Sequence, residues 1–227
     1  MKRKVKNVTK YDFTPSKGMS SFEVSKAIIR CNPEIANIQL VSHIVEVNWR
    51  QKYANVENIL KKLIDSFSHS GITNKYNIDR DIYLNLNLDQ FIKKFSKHEV
   101  LSFSSKVQLR DNTFKHVAMM NFHPEDGVDF THLKYSVNHI CGNRKGAILA
   151  SGRYYHYWGN FLLSDIEWIK FLGEFLMPTV ITSPRYIGHQ LFNGECTLRL
   201  TSDTIYKPQV PIVIENITGK GEGSLFK

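Results

Sequence analysis

Residues 147–158 read AILASGRYYHYW. An apolar run before Gly152 and an aromatic run after Arg153 flank two residues suited to a turn, so the segment reads as a pair of strands joined tightly. Glycine lets a backbone approach a phosphate closely. Ser151 and its neighbours bring hydroxyl and backbone donors, Arg153 a forked guanidinium, and His156 a phosphate donor or general acid. An ordinary hairpin with a surface arginine and a packed histidine has the same spacing. Tyr154, Tyr155, Tyr157 and Trp158 suit base stacking, and they suit a core equally well.

Outward from this hairpin, strands and helices alternate. Residues 106–110 and 114–122 predict a second hairpin around Asp111 and Asn112. Leu133, Val137 and Ile140 give a helical face over 130–140. Ser164 and Glu167 form a capping box ahead of a helix with Trp168, Phe171, Leu172, Phe175 and Leu176 on one side. Short strands are expected at 180–181 and 197–200. Upstream, Ser20 and Glu23 make another capping box, and the β-branched run 39–49 reads as a strand. Val56, Ile59, Leu60, Leu63, Ile64 and Phe67 recur at helical spacing and predict an amphipathic helix with its stripe in the core. Residues 69–90 are polar and read as a loop with short elements, followed by a short helix over 89–95. The order indicates an α+β fold with a mixed-sheet core and flanking helices. Residues 1–104 are expected as an N-terminal α/β portion packed on the core, and 105–227 as the core with a flexible tail.

Thirty lysines and arginines against 21 acids leave a net charge of +9 and a pI near 9.4. That excess favours a polyanionic partner through counterion release, so DNA or RNA or a nucleotide is the expected ligand. Lys2, Arg3 and Lys4 are candidates for a loose phosphate-touching arm. Cys31, Cys141 and Cys196 are odd in number and form no CxxC pair, which argues against a disulfide framework. No apolar run reaches the ~18 residues of a membrane helix, and the basic start lacks an apolar signal core. The expected location is the cytoplasm, with no membrane partner.

Three segments resemble the archaeo-eukaryotic primase superfamily of primase-polymerases, in particular its primase-1D-like branch. HVAMMNFHPE (116–125) resembles the strand that carries the family's metal-binding acids. ASGRYYHYWG (150–159) resembles the serine-x-histidine element that contacts the incoming nucleotide's phosphates. ITSPRYIGHQLFNGECTLRLT (181–201) resembles the third region, where an acid precedes an arginine-rich strand. The resemblance covers roughly residues 105–205 and implies a nucleic-acid partner, nucleoside triphosphates, and Mg²⁺ or Mn²⁺ in an active member. It implies phosphate contacts from Ser151, Gly152, Arg153, His156, Arg185, His189 and Arg199, with His156 as the candidate catalytic side chain.

The departures lie at the metal. Asn121 and His123 stand where two carboxylates are expected, and Ser183 stands near the third acid. Two-metal nucleotidyl transfer needs carboxylates for its hard cations; a neutral amide or an imidazole substitutes poorly. The expectation is a nucleic-acid or nucleotide-binding relative with a degraded two-metal site. A partner protein that supplies catalysis, in a bacterial defence or mobile-element system, would fit the family's habit. The rivals are an active primase-polymerase using displaced acids such as Asp126 and Asp129 or an unusual metal, a metal-independent nuclease using His123 and His156, and a structural subunit.

Overall fold

Asp111 and Asn112 turn the chain at the centre of the sheet. Asn112 has φ of 65°, and the Asp111 carboxylate accepts the Thr113 N–H at 3.0 Å, the turn chemistry that favours these residue types. A computed structural model describes residues 12–45, 59–60, 63, 72–96, 98–203 and 206–218. In chain order these form α1 (Ser21–Cys31), β1 (Ile35–Ile44), β2 (Ile72–Asp79), α2 (Arg80–Leu84), α3 (Leu88–Ile92), β3 (Glu99–Leu109), β4 (Phe114–Phe122), α4 (Phe130–Cys141), β5 (Gly146–Ala150), β6 (Tyr155–Leu163), α5 (Asp165–Leu176), α6 (Pro184–Asn193), β7 (Thr197–Arg199) and β8 (Ile212–Ile217). The class is α+β.

The strands form one sheet in the order β2-β1-β3-β4-β6-β5-β8, and β7 pairs with β3 off this path. Every pairing among the described residues is antiparallel. β3 meets β4 only where Lys106 to Gln108 face Phe114 to His116, while its Ser102 to Ser104 pair with β7 instead. The two long strands therefore diverge, and β7 enters the fork and touches β4. This fork sets up the candidate site.

Helices seal the sheet with the faces their apolar spacing dictates. Both expected capping boxes form, Ser20 with Glu23 and Ser164 with Glu167. α1 buries Val24, Ile28 and Ile29, and α5 buries Trp168, Phe171, Leu172 and Phe175. Phe175 meets Phe122 of β4 edge-to-face at 5.4 Å, and Trp158 of β6 lies fully buried 5.6 Å from Phe103. Each such large apolar side chain contributes about 1.5–3 kcal/mol by leaving water.

Four expectations need correction. Residues 72–79 (ITNKYNID) are a strand, because β2 gains its order from the β1 ladder while most of its side chains stay exposed. Residues 180–181 form a turn, although both carbonyls accept N–H bonds from the end of the β4 segment. Residues 184–193 are a helix opened by Pro184 at its first turn, a position where the missing proline N–H costs nothing. Ile59, Leu60 and Leu63 are helical, as their spacing predicts, but their side chains are exposed rather than in the core. Val56, Ile64 and Phe67 lie outside the described residues, as do the basic arm, the end of the 39–49 run and the tail from residue 219. No helix among the described residues is long and apolar enough to cross a membrane.

Candidate functional site

β4 and β6 bring two of the predicted residues face to face. Asn121 and His156 are register partners across this ladder, so their side chains share one face of the sheet. Asn121 donates from Nδ2 toward His123 Nε2 at 3.2 Å, just past the end of the strand. The His123 ring lies 4.3 Å from Tyr154 and 6.2 Å from Tyr186 of α6. Ser183 caps α6 without a side-chain cap bond, one turn before Tyr186. Arg185 and His189 sit one turn apart on α6, with Arg185 Nε 3.4 Å from His189 Nε2.

The β5–β6 turn is built as its sequence requires. The Ser151 N–H donates to the Tyr154 carbonyl at 2.8 Å, and Gly152 has φ of 99°, a left-handed conformation that side chains resist. Arg153 is exposed, its guanidinium 5.8 Å from the centre of the Tyr154 ring. The main chain of Ser151 is committed to structure at both its N–H and its carbonyl.

Arg199 is the keystone of the fork. It is buried, and it donates to the carbonyls of Thr201 and Gln209 at 2.8 Å each and of Ser151 at 2.9 Å. One guanidinium thus ties β7 to the loop that follows it and to the β5–β6 hairpin. Three backbone acceptors consume most of its hydrogen-bonding capacity, so its part here is positioning together with charge.

That loop delivers a residue sequence reasoning missed. Lys207 is isolated among TIYKPQVP and belongs to no pattern. Folding of the loop, with the Asp203 N–H bonded to the Lys207 carbonyl at 2.9 Å, brings its ammonium into the cluster. The electrostatics show the crowding. Burial, then the charges of Arg199, Lys207 and His123, hold His156 well below the ordinary histidine value. Burial and then Arg199 lower Lys207, against the opposing pull of Asp203. Burial brings Arg199 down to about 10. Buried Arg199 and half-buried Lys207 repel each other and disfavour a charge on His156, and Asp203 is the acid that acts against the two cations.

A family model described as AEP-like, archaeo-eukaryotic primase 1D-like, matches residues 84–212. The chain belongs to this family. No curated protein and no solved structure matches it. The matched region starts at the end of α2 and runs through the whole fork into β8, so it contains every residue of the cluster.

In an archaeo-eukaryotic primase 1D-like protein, the face that carries Asn121 and His123 is where a divalent cation is expected. Its donors here are an amide, an imidazole and, nearby, the Ser183 hydroxyl, none of them negative. Asn121 Oδ1 is buried with no hydrogen-bond partner among the described residues, yet a neutral amide oxygen alone holds a hard dication poorly. The downstream acids are placed elsewhere: Asp129 caps α4 through the His132 N–H at 3.0 Å, and Asp126 lies in an exposed turn. Among the described residues there is no group of three or more His, Cys, Asp or Glu side chains placed to hold a metal ion. The residues present do not fit Mg²⁺.

A second constellation has the outline of a hydrolytic triad. Ser105 Oγ lies 3.1 Å from His116 Nδ1, and His116 Nε2 lies 3.1 Å from Asp165 Oδ1. Ser105 is fully buried, however, and also accepts the Cys196 N–H at 2.9 Å, while His116 stacks on Trp168 at 4.3 Å. No substrate reaches this serine. The chain of bonds joins β3, β4 and α5 as a structural strut.

Proposed function

We propose that this primase-like protein binds nucleoside polyphosphates, and the nucleic acid they accompany, at the fork between β4, β6 and β7, and that its two-metal nucleotidyl transfer is impaired. One observation carries the reading: half-buried Lys207 and His123 and buried Arg199 all bear on the buried His156 ring, with Asp203 as the acid opposing the two cations. Such a cluster lowers its own energy by taking up a polyanion, because each phosphate oxygen replaces repulsion with charge-assisted hydrogen bonds. Lys207 and His156 supply the inner donors. The Ser151 hydroxyl and the Gly152–Arg153 turn supply the outer ones, while Arg199 holds hairpin and loop in register. Arg153, Arg185 and His189 are the candidates for contacts to a nucleic-acid backbone at the rim.

Impaired transfer follows from the donor set. Asn121, His123 and Ser183 bring no negative charge to neutralise two dications, so the clamp that stabilises the developing charge in phosphoryl transfer is missing.

Two assays on the full chain test the reading. Fluorescence anisotropy with labelled oligonucleotides across a salt series should show binding that weakens steeply, with a slope of about −0.7 to −0.9 in log K against log salt for each phosphate contacted. A templated incorporation assay with Mg²⁺ or Mn²⁺ should show negligible synthesis. Incorporation abolished by Asp126→Ala or Asp129→Ala would defeat the impaired-site reading, and cleavage of labelled RNA in chelator would promote a nuclease.

A further inference from the structure

The outer face of α5 is apolar. Ile166, Ile169 and Met177 are 68%, 52% and 74% exposed, while the opposite face of the same helix is core. With Gly173 they recur at i, i+3, i+7 and i+11, so they form one stripe along the helix. Val180, 46% exposed in the turn that follows, extends it. Exposed apolar residues scattered singly need no explanation, but a continuous stripe marks an interaction surface.

Gly173 sits at the centre of that stripe. A Cβ at this position would meet nothing within 4 Å, so the fold itself has no need of a glycine here. Glycine weakens a helix interior, and what it offers in return is a flat spot where a second backbone can come close.

Lys170 and Glu174 are exposed one turn apart on one flank of the stripe. When two copies of a helix run antiparallel about a two-fold axis, each flank faces the same flank of the other copy. An axis at Gly173 therefore sets Lys170 beside the partner's Glu174, and Glu174 beside the partner's Lys170. The same register lays Ile169 on the partner's Met177 and brings Ile166 to the exposed end of the partner helix. The stripe is thus complementary to itself in apolar contacts and in charge, as an isologous interface requires.

We infer that this protein forms a two-fold dimer by antiparallel packing of α5 on α5, with Gly173 at the crossing point. Phe122 packs on Phe175 of α5, and its strand neighbour Asn121 points to the other face of the sheet. The dimer therefore forms behind the sheet and leaves the basic cluster of each copy open. The 12 residues of α5 span about 18 Å, so the contact falls below the ~1,200 Å² of standard interfaces and the dimer is weak.

Sedimentation equilibrium of the full chain across the micromolar range tests this, with melting curves to show that each variant is folded. The natural sequence should dimerise reversibly. Ile169→Asp should weaken the dimer about tenfold or more by placing a charge in the apolar contact. Lys170→Glu should weaken it several-fold, and adding Glu174→Lys should restore it, because the double exchange re-forms both ion pairs. Under mild oxidation Gly173→Cys should be trapped as a disulfide-linked dimer and Ile166→Cys should not, since only a residue on the axis meets its own copy. A monomer at every concentration, a dimer indifferent to Ile169→Asp, or no recovery on adding Glu174→Lys overturns the inference. So does trapping of Ile166→Cys in place of Gly173→Cys. Binding to anionic lipid vesicles that Ile169→Asp abolishes, without self-association, would overturn it in favour of a membrane-facing stripe.

Discussion

Asn121 and His156 face each other across the β4–β6 ladder, and Asn121 Oδ1 and His156 Nδ1 are each buried without a hydrogen-bond partner among the described residues. A buried polar atom left unpaired costs about 1–3 kcal/mol. Two such atoms side by side in a sheet lower the stability of the ligand-free fold. His156→Phe puts a somewhat larger apolar ring in place of the imidazole and removes one of them. It should leave the melting temperature unchanged or raise it, while polyphosphate binding is lost; thermal denaturation beside a binding assay reads both. A large drop in melting temperature would mean the imidazole is a structural group.

Acid should destabilise the ligand-free protein. His156 and His116 both lie below the ordinary value of 6.5 in the folded state, and burial is the largest cause for each. The unfolded chain then binds more protons than the folded one as pH falls. The stability these neutral rings contribute is complete above about 6.5 and is lost as pH drops through that value toward their lower folded values. Melting curves between about pH 5 and pH 8 should therefore fall on the acid side, less steeply for His156→Phe. A bound polyphosphate favours the protonated ring, so affinity should strengthen over the same acid range. An affinity that weakens with acid would remove His156 from the phosphate contacts.

The two arginines flanking the site should separate by what they touch. Arg199→Ala leaves the Thr201, Gln209 and Ser151 carbonyls unpaired and releases the loop from the hairpin. It should cost on the order of 3 kcal/mol of stability, measurable by chemical denaturation. Arg153 is exposed over Tyr154, so Arg153→Ala should stay within about 0.5 kcal/mol in stability and lower nucleic-acid affinity instead. Equal stability losses would put Arg153 in the scaffold.

Much of the fork was legible in the sequence, for local reasons. Gly152 between two β-rich runs predicts a hairpin, and the Ser20–Glu23 and Ser164–Glu167 boxes announce their helices within four residues. The family likeness also rests on contiguous words such as SGRYYHYW. What stayed hidden depends on partners distant in the chain. β2 is a strand because β1 lies beside it, and ITNKYNID carries no alternation to say so. Arg199 reads as a ligand-binding arginine until its three carbonyls are seen, two of them across the loop and the hairpin. Lys207 joins the site only when that arginine folds the loop back. The α6 helix stays hidden because 181–201 resembles one region leading into a strand, although Ser183–Pro184 is a fair helix start.

The central claim is that the crowded bases of the fork bind polyphosphate without metal. Equilibrium binding of a fluorescent ATP analogue to the full chain, in chelator at low salt, compared with Lys207→Met, tests it most directly. The account predicts saturable binding by the natural sequence, weakened about tenfold or more in the variant by loss of a charge-assisted contact, with the fold intact by circular dichroism. No saturable binding by the folded protein, or equal affinity for both proteins, would contradict it.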